Sequence, residues 1–246
     1  MIERPAIKIL GYDVFSGGKE FFSKEFKGVV NTINPNAYII ARKDNLFRDA
    51  FMASDFIIPD GVGIIMATRI LAGEKIRKIA GTDLHEVIIN ALNERKGSCF
   101  YLGTSEDTLR KIRERLYREH PDVRVGSFSP PYKTIFSDED NVSMINAVNE
   151  FNPEVLFVGM TAPKQEKWVH ENRHLINAPV ISSIGAVFDF YAGTVKRPCK
   201  FWISIGLEWL PRLLREPRRL WRRTLISTPL FIWFVLCEKF RISKIH

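Results

Sequence analysis

Between about residue 97 and residue 185, short apolar runs of four to six residues alternate with longer stretches of helical spacing. The runs are Ser98–Thr104 with its turn, Val123–Phe128, Glu154–Gly159 and Val180–Ile184. Between them Thr108, Ile112 and Leu116 follow Ser105 at helical intervals, and Asp138–Phe151 and Pro163–His174 continue the pattern. A strand buried on both faces reads as a continuous apolar run, and a helix between two such strands carries the chain back to a parallel neighbour. The alternation therefore predicts an α/β fold, a mostly parallel sheet flanked by helices on both faces.

The same reading extends upstream. Gly28–Ile33 is a short strand, and Asn34 caps a helix with Pro35 in its first turn and Tyr38, Ile39 and Ala41 facing inward. Leu46–Ala53 resumes the helical pattern. After Ile57 and Ile58, the residues Ile64–Leu71 form an apolar helix that Gly73 closes. Thr82 is a candidate cap for the next helix, in which Leu84, Val87, Ile88 and Leu92 share a face.

The turn Ile57-Ile58-Pro59-Asp60-Gly61-Val62-Gly63 sets one acidic residue between a buried strand and the Gly-x-Gly that opens a helix. Asp60 thus belongs at the carboxyl end of a strand, the edge where open α/β sheets bind ligands. Two readings fit the local pattern, a helix N-cap and a functional carboxylate.

Charge changes the picture at the other end. Residues 196–246 hold 12 of the 36 Lys and Arg but 3 of the 28 Asp and Glu, a net of +9 that leaves the rest of the chain at −1. Four of the five tryptophans, Trp202, Trp209, Trp221 and Trp233, lie there too. The shift sets a boundary between a body of residues 1–195 and a basic, amphipathic helical appendage of residues 196–246. Such an appendage suits an anionic surface, lipid headgroups or nucleic acid. Arg212, Arg215, Arg219 and Arg222 recur at spacings of three, four and three, a stripe on one helix suited to phosphate or diphosphate. The apolar run Pro229–Cys237 is too short to span a bilayer and fits an in-plane contact, or else a core-packing terminal helix. Cys99, Cys199 and Cys237 have no ligand-like spacing, which points to a reducing compartment. The N-terminus has no secretion-signal pattern.

Three further motifs bear on chemistry. His170-Glu171-Asn172-Arg173-His174 matches the zinc spacing H-E-x-x-H, but Arg173 would set a guanidinium beside a dication and no third ligand stands out. A solvated helix face accounts for it better. Gly159-Met160-Thr161-Ala162-Pro163-Lys164-Gln165 follows a buried strand and opens a helix, so backbone N–H groups, Lys164 and Gln165 suit a phosphate or sugar hydroxyls. Asp189, between Phe188 and Phe190, is hard to explain as a surface residue.

Together the motifs resemble glycosyltransferase family 26, the WecG/TagA/CpsF family of bacterial surface-polysaccharide enzymes. The resemblance rests on Asn31-Thr32-Ile33-Asn34-Pro35, Pro59-Asp60-Gly61-Val62-Gly63, Ala80-Gly81-Thr82-Asp83-Leu84, Gly159 with Ala162–Trp168, Phe188-Asp189-Phe190 with Gly193, and Gly206–Trp209 through Arg215–Arg219. It implies a Rossmann-like sheet with a membrane-targeting appendage, the GT-E fold. It also implies inverting transfer of a sugar from a UDP-sugar of the N-acetylmannosamine, mannosaminuronic acid or glucose type to a polyprenyl-diphosphate-linked sugar. No cofactor or essential metal is implied, and the place of action is the cytoplasmic leaflet of the cell membrane. By position Asp60 resembles the catalytic base and Thr32 its partner. Asn34 and Gln165 resemble substrate contacts, and Arg212, Arg219 and Arg222 resemble tail residues reaching over the site. Gly61, Asp83, Gly159, Lys164 and Asp189 complete the expected substrate-binding set. Ser129-Pro130-Pro131-Tyr132 departs from the family's usual glycine-containing loop. Two other classes stay open, a zinc hydrolase built on His170, Glu171 and His174 and a basic-tailed nucleic-acid-binding protein; the apolar 230–237 run argues against nucleic acid. Homo-oligomerisation is left open as well.

Overall fold

The computed structural model describes residues 4–196, Trp202 and residues 209–240. An eight-stranded sheet runs in the order β1-β2-β4-β3-β8-β7-β5-β6. The strands are β1 (Ala6–Ile9), β2 (Tyr12–Phe15), β3 (Gly28–Ile33), β4 (Phe56–Pro59), β5 (Ser98–Gly103), β6 (Arg124–Phe128), β7 (Val155–Gly159) and β8 (Val180–Ser183). Every pairing is parallel except β1 with β2. That edge hairpin escaped the sequence reading. It turns on Leu10 and Gly11, both at positive φ (51° and 87°), the geometry of a two-residue hairpin without the usual Asn-Gly signature.

The helices are α1 (Pro35–Ala41), α2 (Asn45–Met52), α3 (Val62–Ala72), α4 (Gly81–Glu94), α5 (Glu106–Glu119), α6 (Asp138–Phe151), α7 (Lys164–Asn172) and α8 (Ala186–Ala192). The caps expected at Asn34 and Gly73 form: Asn34 Oδ1 accepts the Ala37 N–H, and Gly73 takes the left-handed conformation that ends α3; Ser105 Oγ also caps α5 by accepting the Thr108 N–H. Two differ. Ala80, not Thr82, precedes α4, and the Asp83 carboxylate closes that end by accepting the Ala80 N–H at 3.2 Å. Pro163 is the residue before α7 rather than its first turn.

Strand alternation divides the core. Phe157 of β7 faces Tyr101, Leu109 and Phe188 under α4, α5 and α8, while Leu156 and Val158 face Trp168 and Val169 of α7 and Met144 of α6. A third cluster joins Ile57, Tyr38 and Ile64 to Phe231 and Val235 from the end of the chain.

That end is a series of helices: α9 (Trp209–Arg215), α10 (Pro217–Trp221), a π-helical segment Arg222–Ser227, and α11 (Thr228–Lys239). Glu216 leaves the helical region (φ −128°, ψ 59°) because the ring of Pro217 crowds a helical residue before it. The expected single stripe of arginines is therefore broken: Arg212 and Arg215 lie on α9, Arg219 on α10 and Arg222 in the π segment. Pro229 explains the wide turn. In an α-helix its ring would strike the Leu225 carbonyl, and the π segment opens the backbone there, with Thr228 Oγ1 donating five residues back to the Arg223 carbonyl. Among the described residues no helix is long and apolar enough to cross a membrane.

Candidate active site

A cleft of about 2090 Å³ opens along the carboxyl ends of the parallel strands, with residues 222–236 as its far wall. The chain leaves β3 for β4 on one side, while β8 and β7 lie on the other, so the cleft sits where the strand order reverses. Of the residues expected from the sequence, Thr32, Asn34, Asp60, Gly61, Gly159, Lys164, Gln165, Asp189 and Arg222 all line it.

Thr32 lies opposite Ile58 in the β3–β4 register, and the Asp60 N–H donates to the Ile33 carbonyl at 2.9 Å, which holds the start of Asp60 against the end of β3. The residue before α3 is Gly61, at φ 91°, which has no side chain to cap this helix. The N-cap position thus falls to Gly61, one residue after Asp60, and Asp60 lines the cleft. The positive φ is a conformation that a β-carbon disfavours, so glycine at 61 lets the chain turn from strand to helix while Asp60 stays at the strand end. Asn34 spends its Oδ1 on the α1 cap, which leaves its amide N–H groups for the cleft.

On the other side, Gly159 ends β7 where a β-carbon would lie 2.6 Å from the Phe188 ring, so its lack of a side chain is a packing requirement. Gln165 is 4% exposed and Glu166 2%. Gln165 Oε1 accepts the Met160 N–H at 3.2 Å and its Nε2 donates to Glu166 Oε1 at 2.9 Å. Burial pushes the Glu166 carboxyl up to about 7, partly offset by the hydrogen bond from Gln165. Lys164 turns to the loop after β6: its ammonium lies 3.5 Å from the Phe136 ring centroid and donates to the Lys133 carbonyl. Burial lowers its pKa.

The model of the glycosyl transferase WecG/TagA/CpsF family matches residues 14–245. The chain belongs to that family. It is similar to the N-acetylglucosaminyldiphosphoundecaprenol N-acetyl-beta-D-mannosaminyltransferase of Bacillus subtilis (strain 168), 30% identical over 90% of this chain and 84% of the relative. The enzyme of the same name from Bacillus spizizenii is 30% identical over 87% and 81%, and that from Staphylococcus aureus (strain MW2) is 24% identical over 92% and 87%.

As a WecG/TagA/CpsF glycosyl transferase, the chain needs no zinc-hydrolase reading of its H-E-x-x-H motif. α7 ends at Asn172 and His174 lies in the 3₁₀ turn Arg173–Leu175, so His170 and His174 do not share one α-helical face. Among the described residues no three His, Cys, Asp or Glu side chains are grouped to hold a metal ion. Asp83 is occupied at the start of α4, where Ala80, Gly81 and Thr82 line the cleft instead. Asp189 takes the Thr194 hydroxyl on its backbone carbonyl at 3.1 Å. Arg222 is exposed, with its guanidinium 5.3 Å from the Trp221 ring, and the side chains of Arg212 and Arg219 lie outside the described residues. Sequence reading missed Glu166, although Trp168 and Val169 mark the buried stripe of α7, and the residues three and four before Val169 are Glu166 and Gln165. It missed Asn36 too, whose Oδ1 accepts the Ser227 hydroxyl at 2.9 Å and ties α1 to the tail.

Proposed function

We propose that this glycosyl transferase moves an N-acetylmannosaminyl group from its UDP-sugar to N-acetylglucosamine carried on a polyprenyl diphosphate, with inversion at the anomeric carbon. The activity for which the relatives are named supports the acceptor and the sugar. The observation that carries the mechanism is the position of Asp60, directly after the end of β4 and on the cleft. Inverting transfer needs one base to remove the acceptor hydroxyl's proton as it attacks C1 from the face opposite the leaving diphosphate. Asp60 is that base, and Thr32, at the end of the neighbouring strand, is its partner. Asn34 and Gln165 hold sugar hydroxyls, and Gly61 lets the first turn of α3 meet the diphosphate. Arg222, with Arg212 and Arg219, neutralises the charge that develops on the departing UDP.

Residues 1–195 form the catalytic body, and residues 196–246 bring it to the cytoplasmic face of the membrane. Support comes from the exposed apolar side chains of α11, Leu230, Ile232, Trp233 and Leu236, beside a segment rich in arginine. The test is a transfer assay with a panel of UDP-sugars and a synthetic polyprenyl-diphosphate N-acetylglucosamine, comparing wild type with Asp60→Asn. Loss of a general base lowers kcat by about 10²–10⁴-fold while UDP still binds. Undiminished transfer by the variant would sink the assignment.

A further inference from the structure

Glu166 has no task in this scheme, yet it lies against the cleft and is almost fully buried. Its Oε1 accepts from Gln165, and its Oε2 meets no partner among the described residues. A buried polar atom left unpaired costs stability, and an apolar side chain of the same shape would avoid that cost. What the carboxyl does for its neighbour supplies the reason to keep it.

A glutamine amide fits one site in two orientations, with oxygen and nitrogen exchanged. The Met160 N–H demands an oxygen at one end of the Gln165 amide, and the Glu166 carboxyl oxygen demands a nitrogen at the other. Only one orientation satisfies both. The space around Gln165 Oε1 is kept clear by Gly185, where a β-carbon would lie 2.6 Å from that oxygen. Gln165 Oε1 thereby holds the turn after β7 and packs close against the turn after β8, and one Nε2 hydrogen and one Oε1 lone pair are left for the cleft.

We infer that Glu166 is a positioning residue, which locks the amide of Gln165 in the orientation that presents those two groups to the bound sugar. This rests on the reading of Gln165 as a substrate contact. Protonation at Oε2, the oxygen without a partner, leaves Oε1 an acceptor, so the lock holds in either ionisation state of the carboxyl.

The test compares E166M, which keeps the shape and removes the acceptor, with E166Q, which keeps an acceptor oxygen, and with Q165A alone and combined with E166M. The expected result is a fall in kcat of about tenfold or more for E166M with an unchanged or higher Tm. E166Q should stay within about threefold of wild type, because the acceptor persists. In the Q165A background E166M should cost nothing further, since it acts through the amide that is gone. Full transfer by E166M, or losses that multiply in the double variant, would overturn the inference. Failure of the wild type to transfer any sugar of the panel would count against the proposed function instead. The lock is then read by NMR from the Gln165 side-chain N–H₂ resonance, assigned by its loss in Q165A. Slow exchange in wild type that becomes fast in E166M supports it; the same exchange in both overturns it.

Discussion

Along the strand edge the cleft is walled by residues whose positions are set by backbone pairing and turn chemistry, whereas the opposite wall is set by side chains reaching across the molecule. Asn34 is fixed by its own helix cap, Asp60 by the strand pairing one residue before it, and Gln165 by Met160 and Glu166. The wall formed by residues 222–236 depends on Phe231 and Val235, 1% and 3% exposed, entering the core beside Tyr38, with the Phe231 and Tyr38 ring centroids 5.4 Å apart. Arg42 over the Phe234 ring at 4.0 Å and the Ser227–Asn36 hydrogen bond complete the attachment. A wall fixed by turn chemistry cannot move without refolding the sheet edge. One fixed by a row of side chains can be loosened while the sheet stays intact, which under the proposed function suits it to the side of the cleft that admits the lipid-linked acceptor.

The comparison breaks most sharply at Phe231. Replacing a fully buried Phe by Ala costs about 3–5 kcal/mol, the lost transfer of the ring plus the cavity left behind. Phe231→Ala should lower stability by that amount in urea titrations. In native protein at moderate temperature it should also raise KM for the lipid-linked acceptor more than it changes UDP affinity, because the strand-edge wall is untouched. Equal losses for both ligands would mean that the walls are not independent.

Acidity separates the walls at the next level of energy. Glu166, behind the polar wall, titrates at about 7 in the folded protein against an ordinary value of 4.5. Between those values the folded state binds more protons than the unfolded one, so its contribution to stability is full below pH 4.5 and falls as pH rises through 7. The shift corresponds to roughly 3 kcal/mol. His85, buried in the closed core with its Nε2 2.5 Å from the Tyr101 hydroxyl, is pushed down to about 3 and acts in the opposite sense, its contribution growing as pH rises from 3 to 6.5. The two slopes offset one another near pH 5–6 in wild type, so the readout is a difference. The stability gap between E166M and wild type should widen in favour of E166M from pH 5 to pH 8. A constant gap would show that burial does not hold the Glu166 proton.

How much of this was legible in the sequence follows the same division. The strand-edge wall could be read because it is made by local chemistry: an apolar run, a capping Asn34, a glycine at 61. Even there Glu166 escaped, since its charge suggests solvent, and only the stripe formed with Val169 reveals its burial. The hairpin at Leu10–Gly11 was hidden because its backbone geometry is carried by a leucine, a residue that gives no turn signal. The tail was legible in composition but not in path. Even spacing of four arginines suggested one helix, and Pro217 breaks it by acting on Glu216, the residue before. Nothing local could show that Phe231 and Val235 would turn to Tyr38, for that contact spans nearly the whole chain.

The smallest effect on the fold is expected at Trp233, on the same helix as Phe231 but 50% exposed. An exposed aromatic side chain contributes little to folding, so Trp233→Ala should leave Tm almost unchanged. If the outer face of α11 enters a lipid interface, the same substitution removes apolar area from that contact, worth about 1–2 kcal/mol or roughly a tenfold loss of vesicle affinity. Sedimentation with vesicles containing anionic lipid, at fixed salt, measures it. Weaker binding with an unchanged Tm separates the outer face of the tail wall from its inner face. Unchanged binding would leave α11 as a core-packing helix whose outer face has no part in lipid contact, and would assign membrane contact to the arginines alone.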